Sequence, residues 1–516
     1  MVNPPRLLQD TLLTSVARYP DDTALIVSDV RMSYREVLDY ACRLAHALQA
    51  RGVCRGDRVV IFMDNTWQCA VSIYGILIAG GVFVIVNPQT KTDKLAFILR
   101  DSDARILLTE PNLLRVFTSV AEMLPKLKVL CAFEAKILPT GVENMDDALA
   151  NMPIKPPLQS TISLDLAALI YTSGSTGEPK GVMHTHQSML FALQSLVEYL
   201  RLEKTDRLLC LLPLAFDYGL YQLLMTFYTG ASLVLERSFT YPAQALNMME
   251  AEGVTVFPGV PTIFTMLLAA HEHKPLSFPK IRRVTNTAAA LPSSFNSRLR
   301  EIFPSADIYR MYGLTECKRV SYLPPEQIDQ KPDSVGIAIP GTEVMVLDSA
   351  GQPVKPGEVG TLYVRGSHVM LGYWNQPEKS AYMLKQGLLP GERMLCTHDL
   401  FTVDEDSYLY FIGRTDDIIK SRGEKISPLE VETVVYGIPG IREVAVLGMP
   451  DPLLGQAVIA FVSAMEGSSI SEAQIKKLCK DKLEAFMVPK HVRFLAELPK
   501  SANGKTDKKA LAALLS

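Results

Sequence analysis

The sequence predicts an α/β protein in two parts. Residues 1–415 are expected to form a large N-terminal domain of two doubly wound α/β subdomains plus a small β-barrel-like subdomain, and 416–516 a small mobile α+β C-terminal domain. Three observations predict this. From Ala24 onward, β-rich runs alternate with amphipathic stretches, the pattern of parallel strands joined by helical crossovers. Between about Pro332 and Gly413 the rhythm changes to short strands separated by Gly/Pro turns. A polar, charged segment, Gly413–Glu432, then leads into a tail of mixed strands and helices, as a hinge between domains would.

Taken in order, the N-terminus MVNPPRLLQDTLLTSVARYPDD has no apolar signal core and is expected to belong to the mature domain. Ala24–Val27 reads as a strand, Ser33–Arg51 as a helix opened by a serine cap, and Arg58–Phe62 as a strand. Ala70–Val86 is the one stretch that could pass for a membrane span. Gly80-Gly81 divides it into a helix and a short buried strand, each too short to cross, so no span is expected. Leu166–Tyr171 reads as a buried strand. Arg207–Leu212, Ala231–Leu235, Val254–Phe257 and Ile281–Val284 follow as strands with helices between. Tyr221–Leu235 and Ile73–Val86 share the layout helix, glycine, strand, which points to an internal duplication and a ligand crevice between two similar halves. Glu343–Leu347, Gly360–Val364 and Tyr408–Ile412 are the short strands of the third unit. Val444–Leu447 and Val458–Val462 (strands) with Ser471–Lys482 and Asp507–Leu515 (helices) make up the last.

A chain of 516 residues exceeds one ordinary core, and its 48% hydrophobic and 21% charged content is globular. The net charge of −3 gives no general attraction to nucleic acid or anionic membrane. Eight cysteines with no CxxC pair indicate neither a zinc site nor a disulfide framework, and favour a cytoplasmic location. Cys317, beside Glu316, reads as packing rather than a nucleophile.

The chemistry centres on Tyr171–Val182, YTSGSTGEPKGV. Thr172, Ser173, Ser175 and Thr176 are interleaved with Gly174 and Gly177, and Lys180 follows. Hydroxyls and N–H groups on a glycine-permissive loop can wrap an anion, and the lysine adds a point charge for a polyphosphate. A Gly/Ser linker is the bland alternative, but a buried strand before the loop and an apolar helix-like stretch after it argue against one. The spacing is not that of a Walker loop, because Pro179 stands where a glycine would be needed.

These twelve residues resemble the signature of the adenylate-forming superfamily, which includes acyl-CoA synthetases, peptide-synthetase adenylation domains and luciferases. The resemblance extends over nearly the whole chain. Tyr312-Gly313-Leu314-Thr315-Glu316 is similar to its second signature, which implies Tyr312 against adenine, Thr315 at the α-phosphate and Glu316 on Mg²⁺, an ion that takes one or two carboxylates beside substrate phosphates. Asn286–Ala290 resembles the small-residue loop along adenine, placing Ala288 and Ala289 there. Thr397-His398-Asp399 resembles a Thr-Gly-Asp motif whose aspartate holds the ribose hydroxyls. Only Asp399 is carried over, since His398 replaces the glycine. Arg414 matches a ribose-contacting arginine, Asp416 the hinge, and Lys505 in LPKSANGK the catalytic lysine. The expected catalytic set is Lys505, Thr172, Lys180 and Glu316. ATP is the implied substrate nucleotide. A cation between the attacking carboxylate and the α-phosphate lowers the barrier for two anions to meet.

Leu212–Gly219 aligns with the mouth of the family's acyl pocket, and Phe216-Asp217 resembles amino-acid-activating domains, whose aspartate pairs with the substrate ammonium. An unpaired buried carboxylate costs roughly 3–5 kcal/mol, so an Asp217 facing the pocket selects an amine. Alternatively Asp217 caps the helix that follows. The carry-over also brings Tyr218, Tyr221, Met311 and Arg319 to the pocket wall, with Arg319 able to neutralise Asp217 or to bind a second substrate carboxylate. No carrier segment follows before Ser516, so the expected acceptor is the phosphopantetheine of a separate carrier protein or free coenzyme A, with Gly423 leaving room for the arm.

Overall fold

The computed structural model describes residues 4–515 except 121–123, 125, 133–137, 174–178, 238, 240–241, 288–290, 416, 422–423, 452–453 and 502–504. Local chemistry starts its helices where the sequence signals them. Ser33 Oγ accepts the N–H of Glu36 while the Glu36 carboxylate accepts the N–H of Ser33, a reciprocal cap that opens the helix Tyr34–Ala50. Ser471 and Gln474 repeat the arrangement ahead of the helix Glu472–Lys482.

Two helices, Trp67–Ala79 and Asp217–Thr229, are buried around most of their circumference. Each stops at a glycine in the left-handed region, Gly80 at φ 88° and Gly230 at φ 78°. The strands Val82–Ile85 and Ser232–Leu235 follow them, so the layout that suggested a duplication is present in both halves.

Among the described residues these two strands lie inside two large sheets. The first sheet runs Gly372–Tyr373, Pro179–Thr185, Leu166–Ser173, Val82–Ile85, Arg58–Phe62, Ala104–Thr109, Lys128–Cys131, Val142–Asn144. The second runs Ile337–Ala338, Ser321–Leu323, Asp307–Tyr312, Arg283–Asn286, Val256–Gly259, Arg207–Cys210, Ser232–Leu235, Thr23–Val27, Val30–Ser33. Both are parallel through the middle; the second is antiparallel at both edges, whereas the first is antiparallel only toward the Gly372–Tyr373 edge and stays parallel out to Val142–Asn144. Val59 and Ile61 face one hydrophobic cluster that also takes Leu208, Leu233 and Val256 from the second sheet, whereas Val60 and Phe62 face another on the outer side. The shared core lies between the sheets.

Two features depart from the expected order. Thr23–Val27 pairs in parallel with Ser232–Leu235, Leu25 opposite Leu233, so the first strand of the chain completes the second sheet. After the phosphate loop the chain turns back as the strand Pro179–Thr185, antiparallel to Leu166–Ser173, before the helix His186–Tyr199 begins. Thr172 therefore stands opposite Lys180 across a hairpin.

A third, antiparallel sheet holds Glu343–Leu347, Gly360–Arg365, Arg393–Val403, Leu384–Gln386 and Leu409–Arg414. A fourth begins at Ile419 and combines Ile441–Asp451 with Gly455–Ala464, with apolar clusters on both faces. This is a mixed α/β architecture with a large N-terminal and a small C-terminal domain. No helix among the described residues is long and apolar enough to cross a membrane.

Candidate functional site

Residues from all three N-terminal sheets meet at one edge. The hairpin carries Lys180, whose ammonium lies 4.5 Å from the Tyr373 ring centroid and 3.4 Å from its hydroxyl. That hydroxyl donates to Glu316 Oε1 at 2.6 Å. Tyr373 reaches this position because the two-residue strand Gly372–Tyr373 pairs with Pro179–Thr185, Tyr373 opposite Val182. Burial lowers the pKa of Lys180, and Glu316 opposes the shift.

Glu316 follows the strand Asp307–Tyr312 in a tight loop. A Cβ at Gly313 would stand 2.4 Å from Lys318 O, so the loop closes this way only on glycine. His184, buried on the hairpin, meets Thr315 O at 2.9 Å through Nε2 and ties the two segments together. Beside them the Tyr312 hydroxyl donates to Asp399 Oδ2, and Arg414 Nε lies 3.4 Å from Asp399 Oδ1 across a strand pair. Burial pushes the Asp399 carboxyl up in pKa, with Arg414 and Tyr312 pulling the other way. Lys505 enters from the C-terminal domain. The residue is exposed, and its pKa is lowered by desolvation first, then by Arg414 and Arg319, with Asp399 and Glu316 opposing them.

On the acyl side the structure corrects the reading of Asp217. Its Oδ1 lies 2.6 Å from the ammonium of Lys318, and the two side chains are 11% and 1% exposed. The carboxylate is already neutralised, by Lys318 and not by Arg319, and offers no free charge to an ammonium. Nor does it cap: Phe216 is the N-cap of Asp217–Thr229, with no side-chain cap bond. Lys318 holds a φ of 66°, a left-handed conformation rare for a non-glycine residue. Tyr218 donates to Thr285 O at 2.7 Å, and the Arg319 guanidinium lies 5.2 Å from the Tyr218 ring centroid. Met311 Sδ accepts from Tyr199 at 2.9 Å. Tyr221 lies deep in the core, its hydroxyl bonded to Met189 O.

A family model described as AMP-binding enzyme matches residues 12–374, and one described as AMP-binding enzyme C-terminal domain matches 430–505. The chain belongs to the AMP-binding enzymes. A long-chain-fatty-acid–CoA ligase of Bacillus subtilis (strain 168) is 31% identical over 97% of this chain and 93% of its own length. Tyrocidine synthase 3 of Brevibacillus parabrevis is 31% identical over 96% of this chain but only 7% of that protein. The crystal structure of the anthranilate CoA ligase AuaEII in complex with anthranoyl-AMP superposes with a TM-score of 0.91 at 29% identity, covering 100% of this chain and 98% of that one. Family membership makes this AMP-binding enzyme an ATP-dependent, adenylate-forming acid–thiol ligase.

In this AMP-binding enzyme Lys180, Tyr312, Thr315, Glu316, Asp399 and Arg414 lie together through these contacts, Gly313 closes the loop that carries Glu316, and Lys505 lies within electrostatic reach of Asp399 and Glu316. Gly174, Ser175, Thr176, Gly177, Ala288, Ala289, Asp416 and Gly423 lie outside the described residues, as does the side chain of Ser173. The sequence reading missed Tyr373 and Lys318. Tyr373 had no motif around it. Lys318 did leave a signal: a second cation next to Arg319, four residues after Leu314 in a loop that must approach Asp217. His398 stands where the superfamily has glycine and takes the left-handed backbone, φ 57°, with its ring stacked 4.2 Å from that of Tyr382. Cys317 is fully buried and its thiol is pushed up in pKa, as packing requires.

Proposed function

We propose that this enzyme adenylates a small carboxylic acid lacking an α-amine and transfers the acyl group to the phosphopantetheine thiol of coenzyme A. The observation that carries this reading is the Lys318–Asp217 pair, which fills the position an ammonium would need. The relative named as a CoA ligase aligns along almost its whole length, which supports coenzyme A as acceptor.

Tyr312 would lie against adenine, and Asp399 with Arg414 would take the ribose hydroxyls in place of part of their present mutual contacts. The hairpin loop, with Thr172, Ser173, Gly174, Ser175, Thr176 and Gly177, together with Lys180 and Thr315, would bind the phosphates. Glu316 suits Mg²⁺, which takes hard oxygen ligands and one or two carboxylates beside substrate phosphates, so Glu316 would hold the ion next to the nucleotide. Such an ion would supply charge neutralisation on the phosphates. The acid's carboxylate oxygen attacks the α-phosphorus and pyrophosphate leaves with the bonding pair, while Lys505 screens the meeting anions. The thiolate then attacks the acyl carbon and AMP leaves. Rotation of the C-terminal domain about Asp416 would withdraw Lys505 between the two steps.

A second reading, aminoacyl transfer to a separate carrier protein, rests on Phe216-Asp217 and on the 31% identity to the tyrocidine synthase segment. It requires Lys318 to give up Asp217. ATP–pyrophosphate exchange with amino acids beside their desamino analogues decides: strong exchange with an amino acid and none with its analogue would overturn the first reading.

A further inference from the structure

Arg319 is the neighbour of Lys318, yet its situation is the opposite. The residue is 5% exposed, and among the described residues no acidic side chain pairs with it. One terminal nitrogen donates to Lys318 O at 2.9 Å, and Nε is buried without a partner. A guanidinium does not shed its charge at any ordinary pH, so burial here cannot be relieved by deprotonation. The Tyr218 ring face, 5.2 Å away, offsets only part of that penalty.

The position of this cation matters as much as its lack of a partner. Tyr218 is tied by its hydroxyl to Thr285, next to the carboxyl end of the strand Arg283–Asn286, which is the edge where open parallel sheets bind ligands. Asn286, at the end of the same strand, is 2% exposed with Nδ2 lacking a partner among the described residues. Arg319 also contributes to lowering the pKa of Lys505, so its charge acts on the catalytic lysine. A monocarboxylic acid held at Lys505 would leave Arg319 uncompensated and buried still deeper by its own bulk. A second carboxylate removes that penalty with a charge-assisted, two-pronged contact.

We propose that Arg319 is the receptor for a second carboxylate, and that the enzyme activates a short or aromatic dicarboxylic acid: one carboxylate is adenylated beside Lys505 and the other pairs with Arg319, with Asn286 as an added donor. This rests on the adenylation reading above.

The test is Mg²⁺-dependent ATP–pyrophosphate exchange by the full chain with matched acids: succinate and butyrate, glutarate and valerate, phthalate and benzoate, beside the common amino acids. A dicarboxylate should exceed its matched monocarboxylate about 100-fold or more in kcat/KM, because a site built for a polar group rejects the analogue that lacks it. Arg319→Leu should lose that preference and gain on the monocarboxylate, while Arg319→Lys keeps part of it. A merely structural arginine would lower both acids together, and that result, or equal exchange of each matched pair by the unaltered enzyme, overturns the proposal. If Arg319→Leu does not fold, the unaltered enzyme's matched pairs still decide. Exchange with monocarboxylates alone refutes the role of Arg319 and leaves the ligase reading standing. Exchange with no acid at all refutes both.

Discussion

Replacing Lys318 with methionine keeps the length of the side chain and the left-handed backbone but removes the charge that faces Asp217. Lys318 is 1% exposed and Asp217 11%, so the change leaves a nearly buried carboxylate alone. Breaking a buried pair from one side costs about 3–5 kcal/mol, against ~1 kcal/mol or less for an exposed pair. Burial already lowers the pKa of Lys318 despite Asp217, so removing Asp217 instead allows the lysine to turn neutral and should cost less. The double variant Lys318→Met with Asp217→Leu should return to within about 1–2 kcal/mol of the parent, because an apolar pair of similar volume needs no compensation. Urea unfolding of all four proteins, following the transition of the large domain separately from that of the small one, measures the cycle. Lys318→Met should also free Asp217 for a substrate ammonium, so weak exchange with amino acids should emerge where the parent has none. A loss below about 1 kcal/mol in Lys318→Met, or a double variant worse than either single one, would refute the pair and with it the argument against an amino-acid substrate.

Lys505 must be protonated to screen the reacting anions, and its pKa lies below the ordinary lysine range through burial first, then Arg414. Adenylation should therefore fall as pH rises through that depressed value; Lys505→Arg should shift the fall upward in a pH–kcat profile, and Lys505→Ala should abolish exchange while ATP still binds. Tyr373→Phe removes the hydroxyl that joins Glu316 to Lys180, and the Mg²⁺ concentration for half-maximal exchange should rise about tenfold with the KM for the acid unchanged. His186 and His368 are fully buried, and burial depresses each to about 4 from 6.5. Each thus contributes up to about 3 kcal/mol that is present above pH 6.5 and lost as pH falls to 4, where the unfolded chain binds the extra proton first. His368 stacks 5.3 Å from Phe191, so His368→Phe should flatten the acid limb of a Tm–pH curve without lowering Tm at pH 8.

What the sequence revealed was local, and so was the physics behind it. Ser33 with Glu36, and the glycines Gly80 and Gly230, act on their own turn of chain, and each formed the cap or stop that its residue type dictates. Pairing is a different kind of fact. Nothing near Leu25 specifies Leu233, because a parallel ladder needs only a β-compatible run and leaves the partner to global packing. The same distinction divides the candidate site. Lys180, Tyr312, Glu316 and Asp399 stand inside runs whose wording is specific, and the structure brings them to one edge. Tyr373 arrives through a two-residue edge strand with no local mark, yet its hydroxyl is what joins Lys180 to Glu316. Lys318 and Arg319 are the sharpest case, two adjacent cations that composition cannot tell apart. A single left-handed residue sends Lys318 to Asp217 and leaves Arg319 over Tyr218 with its charge unpaired. The order Lys-Arg, rather than the presence of two basic residues, thereby decides which cation pairs with Asp217 and which is left over the Tyr218 ring.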